Sequence, residues 1–101
     1  MTKVEHLLVI LMEECAEVAK EASKALRFGL QDQYPAGGET NAERIVREYC
    51  DLAAAMQMLF QENALIWPSY TEVKERQDAK IAKVKKFLEY SDSVGRLDKT
   101  F

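Results

Sequence analysis

Glu14 and Glu17 stand three residues apart, and so do Glu48 and Asp51. At about 100° per residue, an i, i+3 pair on a helix lies within roughly 60° on one face, one turn apart. Each pair is thus a two-carboxylate claw, and Glu13 directly precedes the first. If the claws face each other, four negative charges share one small volume and repel unless protonated or neutralised. A divalent cation removes that penalty, and an all-oxygen ligand set selects Mg²⁺, with Mn²⁺ as an alternative, over zinc. Pairs of this spacing are common on solvated helix faces, but these have apolar neighbours. Glu14 and Glu17 interleave with Leu7, Leu11, Cys15 and Val18, and Asp51 opens directly into residues 52–56. The acids therefore border a core, where an unpaired charge is costly and tends to be functional.

Facing claws require two antiparallel helices. Leu7, Leu11, Cys15, Val18, Ala22 and Ala25 recur at steps of three and four, predicting an amphipathic helix over about 4–28. Gly29 stands where a left-handed cap is easiest, and residues 31–40, with Pro35, Gly37 and Gly38, read as a loop. Thr40 or Asn41 can cap a second helix, and Thr40 with Glu43 forms a capping-box pattern. That helix is expected over about 42–63, with Ile45, Tyr49, Leu52, Met56 and Leu59 on one face. Ala53, Ala54 and Ala55 widen its apolar girth, so burial on more than one side is expected. Pro68 suits the first turn of a third helix over about 69–90, whose stripe is Val73, Ile81, Val84 and Leu88 and which is expected to pack across the first two. The tail, 91–101, shows no periodicity.

At 101 residues the chain reads as a single domain, 1–101, of all-α class. A composition 48% hydrophobic and 31% charged, with 4 Gly and 2 Pro, excludes a disordered, collagen-like or disulfide-scaffold chain. The net charge of −3 opposes broad nucleic-acid binding. Residues 1–71 carry 6 basic and 11 acidic side chains, whereas 72–101 carry 8 and 6, an acidic front suited to cations and a basic tail suited to anions. Cys15 and Cys50 have neither CxxC nor HxxxH spacing, which opposes a zinc or redox site and fits a reduced, cytoplasmic setting. The apolar run at residues 7–12 is too short to span a membrane and has no signal-peptide pattern. His6 is the only histidine, and an ExxH di-iron site needs two, so one chain cannot build it.

The segments EECAEVAKEASKALRFGL and TNAERIVREYCDLAAAMQML resemble the MazG-like all-α nucleoside triphosphate pyrophosphohydrolases, especially short phage-encoded members. The family signature, ExxE followed by ExxD on the next helix, is matched by Glu14-Cys15-Ala16-Glu17 and Glu48-Tyr49-Cys50-Asp51, and the resemblance covers most of residues 7–90. It implies that Glu14, Glu17, Glu48 and Asp51 bind Mg²⁺. It also implies cleavage of an NTP or dNTP to the monophosphate and pyrophosphate, in the host cytoplasm if phage-encoded. Metal ions suit such chemistry because they neutralise phosphate oxygens and lower the pKa of water. A carboxylate not fully engaged, Glu17, could take the water's proton.

Around the claws, Lys24 and Arg27 are candidates to grip substrate phosphates, or else Lys24 pairs with Glu21 and Arg27 favours the helix C-terminus. Lys80 and Lys83, with Arg76, form a basic stripe that is either solvated or reaches a phosphate across a subunit interface. Asn63 is a turn residue or lies near substrate, and Phe28, Tyr34 and Trp67 could stack on a base or anchor loops. The apolar girth of the second helix predicts a homodimer or homotetramer with a four-helix-bundle-like core. Purine nucleotides such as dGTP are the substrate expectation. Two other readings compete: a helical adaptor whose acids only solvate its surface, and a phosphoribosyl-ATP pyrophosphohydrolase-like enzyme.

Overall fold

The computed structural model describes residues 1–98 and is all-helical, in the order α1 (Lys3–Phe28), α2 (Asn41–Gln61) and α3 (Tyr70–Ser93). Among the described residues the only strand-like feature is an isolated bridge between Gln33 and Thr40. The chain falls into two compact units, Met1–Ile66 and Trp67–Phe101. α2 stops two residues short of its expected end, because Glu62 is its C-cap and Asn63 turns to a positive φ of 58°. α3 runs three residues beyond the expected 90, and its final turn is held by Ser93 Oγ donating to the Tyr90 carbonyl at 2.6 Å. The part of the expected tail at 99–101 lies outside the described residues.

Each helix start is set by a side chain that satisfies free amides of the first turn. Thr2 and Glu5 form a reciprocal box at α1, with the Thr2 amide donating to Glu5 Oε1 at 2.8 Å and the Glu5 amide to Thr2 Oγ1 at 3.1 Å. Thr40 and Glu43 repeat it at α2, so Thr40 rather than Asn41 is the cap. Ser69 Oγ accepts from the Glu72 amide at α3. Hydrogen bonds from the Thr2 and Thr40 backbone, then from their side chains, hold the Glu5 and Glu43 carboxyls below the ordinary range. Both boxes therefore stabilise the fold above the ordinary carboxylate pKa and lose that contribution as pH falls through the lowered value. Replacing Thr40 by Ala is expected to cost about 1 kcal/mol, within a range of roughly 0.5–2, read as a lower urea midpoint at unchanged slope.

α1 and α2 form an antiparallel hairpin joined at both ends. At the loop end, Gly29 takes φ +102°, a conformation that side chains rarely adopt, and its amide closes α1 onto the Ala25 carbonyl at 2.8 Å. The Gly29 carbonyl then accepts from Nδ2 of the buried Asn41 at 2.9 Å, while the Asn41 and Ala42 amides donate to the Asp32 and Leu30 carbonyls. At the far end Lys3 Nζ meets Glu62 at 2.5 Å.

Between these ends the inner line of α1 runs Leu7, Leu11, Glu14, Val18, Glu21, Ala25, and that of α2 runs Asn41, Ile45, Glu48, Leu52, Ala55, Leu59. Cys15, Ala22 and Tyr49, expected on the buried stripes, are exposed. The physical reason is that Leu7, Leu11, Val18 and Ala25 define a line with Glu14 and Glu21 on one flank and Cys15 and Ala22 on the other. Periodicity alone does not choose the flank, and α1 is rotated toward its acidic one. The apolar core is correspondingly small: Leu7, Ala55 and Leu59 are the buried hydrophobic residues, and Leu59 is fully enclosed. α3 buries none of its residues, so the burial expected for Val73, Ile81, Val84 and Leu88 is not seen.

Candidate metal centre

Three carboxylates converge where α1 and α2 face each other at mid-length. Ligand oxygens of Glu14, Glu48 and Asp51 all lie within 4.8 Å of one another, and so do those of Glu17, Glu21 and Glu48. Glu48 belongs to both groups. Opposite oxygens around an octahedral Mg²⁺ stand about 4.2 Å apart, so either set closes on such an ion with small side-chain shifts. All four residues expected as ligands are therefore gathered, but as two overlapping triplets rather than one ring, with Glu17 in the triplet that excludes Glu14 and Asp51. Helix spacing explains the split. Glu14 and Glu21 stand two turns apart on α1, at roughly 10 Å, with Glu48 between their levels on α2.

The cluster is partly dry. Glu21 is 4% exposed and Glu48 is 9%, while Glu14 and Glu17 are half-buried and Asp51 is open. Oε2 of Glu14 and Oε2 of Glu21 are buried and accept no hydrogen bond, an arrangement that costs free energy unless something neutralises it. Cations cover one side: Lys20 Nζ stands 3.9 Å from Glu17, Lys24 Nζ 3.4 Å from Glu21, and Arg47 Nη2 3.4 Å from Glu48. Arg47 is also paired with Glu39. Among the described residues, neither Glu14 nor Asp51 has a cation within ion-pair distance.

Burial, followed by the negative charges of Asp51, Glu48, Glu17 and Glu13, pushes the Glu14 carboxyl above the ordinary range. A carboxyl whose folded pKa is raised destabilises the fold as pH climbs from its unfolded value through its folded one. In EDTA, the wild type should therefore lose stability relative to Glu14→Gln across that interval, seen as converging urea midpoints as pH is lowered. Parallel midpoints at every pH would contradict the assignment.

The other site residues are distributed unevenly. Lys24 is half-buried and, besides meeting Glu21, lines a cavity of about 400 Å³ with Phe28, Asp32, Tyr34, Asn41 and Arg44. Arg44 Nη2 donates to the Tyr34 carbonyl at 2.5 Å, holding the loop over this cavity. Arg27 does not enter it; its guanidinium stacks on the Phe28 ring at 4.7 Å in the last turn of α1. Asn63 is the turn residue after α2, its amide donating to the Phe60 carbonyl. Lys80 and Lys83 lie on α3, exposed. Glu21 was not foreseen as part of the acid cluster, and the signal that could have found it is the step from Glu14 through Val18, which continues to Glu21 on the same inner line.

No helix of the described residues is long and apolar enough to cross a membrane. No family model, no curated protein and no solved structure matches the chain.

Proposed function

We propose that this chain is a Mg²⁺-dependent nucleotide pyrophosphohydrolase of the MazG-like all-α kind, converting a (d)NTP to the (d)NMP and pyrophosphate. The observation that carries this reading is the convergence of Glu14, Glu48 and Asp51, with Glu17 alongside, from two helices onto one volume that holds an unpartnered buried carboxylate oxygen. A helical adaptor gains nothing from such an arrangement, since acids that only solvate a surface point away from one another and into water. The donor set fits the ion: hard carboxylate oxygens, no thiolate and no imidazole. Glu14, Glu48 and Asp51 are the residues to hold Mg²⁺, which when bound supplies charge neutralisation for the phosphates and makes water more acidic.

The chain's own residues do the rest. Glu17 stands beside that triplet rather than in it, and is the carboxylate left to accept the proton of the attacking water. Lys24 stands between the acids and the cavity, placed to meet a phosphate with its ammonium while Phe28 and Tyr34 border the nucleoside. Lys80 and Lys83 are assigned to substrate phosphates across a subunit boundary. A homodimer or homotetramer with a bundle-like core is part of the proposal. It is supported by the small core of the hairpin and by Leu8, Val9, Ile10, Met12, Val46 and Met58, all exposed.

The test is a panel of NTPs and dNTPs with Mg²⁺, scored for pyrophosphate against orthophosphate. Pyrophosphate with monophosphate, abolished by EDTA, is the expected result, with purine dNTPs such as dGTP preferred. Orthophosphate with diphosphate, or no product across the panel, would refute the reading.

A further inference from the structure

Lys24 and the acids would meet only phosphates, which every nucleoside triphosphate shares, so other groups must choose the base. We propose that Asp32 is the base-selecting residue, its carboxylate accepting from a ring N–H and an adjacent amino group, so that the nucleotide it favours carries guanine. The inference rests on the nucleotide reading above and adds to it a specificity determinant and the base.

Three observations support it. Asp32 lines the cavity of about 400 Å³ together with Lys24, Phe28, Tyr34, Asn41 and Arg44, a volume inside the roughly 300–1,000 Å³ range of small-molecule sites. Phe28 and Tyr34 are both exposed there, which leaves aromatic surface on which a base can stack. The second observation is that Asp32 sits on fixed main chain although it lies in a loop. Its amide donates to the Gly29 carbonyl at 3.3 Å, and its carbonyl accepts from the Asn41 amide at 3.1 Å. The third is that its charge is unspent. Both cations of the lining are engaged elsewhere, Lys24 with Glu21 at 3.4 Å and Arg44 with the Tyr34 carbonyl at 2.5 Å. Among the described residues, no ion pair or hydrogen bond reaches the Asp32 carboxylate.

An ionised carboxylate only accepts, so it pairs with an edge that presents two donors side by side. Guanine has that edge in N1–H and its N2 amino group. Adenine sets its amino group beside the N1 lone pair, cytosine sets its own beside N3, and thymine flanks N3–H with carbonyl oxygens. Each of these brings a lone pair against the carboxylate. Arg44 suits the same base, because its guanidinium has N–H groups beyond the one on Tyr34, and arginine pairs with guanine O6 and N7. Asn41, 3% exposed, spends an amide hydrogen on the Gly29 carbonyl, which leaves its Oδ1 as a further acceptor for the amino group.

Equilibrium binding of dGMP, dIMP, dAMP and dCMP to the whole protein tests this without turnover. The wild type should bind dGMP at least about tenfold more tightly than each of the others, the size of one good bidentate pair. The dIMP comparison isolates the amino group, since hypoxanthine keeps N1–H and lacks N2. Asp32→Asn sets a donor beside an acceptor, the pattern that adenine matches, so the preference for dGMP over dAMP should fall by about tenfold or more. Asp32→Ala should lose the dGMP preference without gaining dAMP, and helical circular dichroism should be unchanged in both variants. Wild-type binding of all four within about threefold of one another, or none detectable at millimolar nucleotide, would overturn the proposal. So would an Asp32→Asn variant that keeps the wild-type order or weakens all four alike, as a merely structural Asp32 would do. The enzymatic reading fails separately: selective dGMP binding by a protein that hydrolyses no nucleotide keeps the Asp32 assignment and loses the function, and an active enzyme indifferent to the base does the reverse.

Discussion

Glu48→Gln should lose pyrophosphate release by roughly 150-fold or more while its fold, measured in EDTA, becomes no less stable. The two effects have opposite sign for one reason. Glu48 is the carboxylate common to both acidic triplets, so it faces Glu14, Glu17, Glu21 and Asp51 in a partly dry volume. Removing that charge relieves repulsion when no cation is present. On the proposed reading the same removal would take from Mg²⁺ a ligand worth several kcal/mol of charge stabilisation, and about 3 kcal/mol corresponds to roughly 150-fold in rate. The amide keeps an oxygen toward Arg47, whose contact at 3.4 Å is weak in any case. Turnover by Glu48→Gln within threefold of wild type would refute the assignment, and a variant unfolded in EDTA would show that Glu48 is structural.

The second large effect concerns assembly. The wild type should sediment as a dimer or tetramer at micromolar concentration, and the pair Leu8→Glu with Met12→Glu should convert it to monomer. Leu8 and Met12 are one turn apart on α1, and Met12 is 70% exposed. The hairpin's own core holds three buried apolar side chains, and the proposed second copy would cover the apolar surface that remains exposed. Burying a carboxylate at such a contact costs about 2 kcal/mol or more, equivalent to at least roughly 30-fold in the dissociation constant. An active, folded wild-type monomer at micromolar concentration would contradict both statements.

How far the site could be read from the residues alone is clearest at Glu14 and Cys15. Apolar stepping placed α1 correctly to within a residue at each end, and the claws on facing helices, because the Thr40 box, Gly29 and the leucine spacing are local chemistry. What stepping does not contain is helix rotation. Leu7, Leu11, Val18 and Ala25 are compatible with either flank, and an apolar rule fills the ambiguous places with Cys15 and Ala22. The structure fills them with Glu14 and Glu21, since rotation is set by what the opposite helix presents, here Asn41 and Glu48. A hydrophobic pattern therefore misreads its own core where the core has been given over to acids. Glu21 enters the sequence reading only as one possible ion-pair partner of Lys24, and that pair does form. Asn41 carries a similar lesson, for its side chain closes the hairpin and Thr40 does the capping.

The Asn41 amide that donates to the Gly29 carbonyl has a consequence beyond holding two helix ends together. Measured from that junction, Glu21 hangs eight residues down α1 and Glu48 seven residues down α2, arms of about 12 Å and 10.5 Å. The levels of the acids are thus fixed from the junction and owe nothing to the length of the intervening loop, which leaves at Asp32 and returns at Asn41 through paired backbone bonds. Yet that loop carries Tyr34, and Asp32 stands at its root, both lining the cavity beside Lys24. A change in the length of that loop would leave the acids in register. The loop side of the cavity and the acidic cluster can therefore be altered independently of each other.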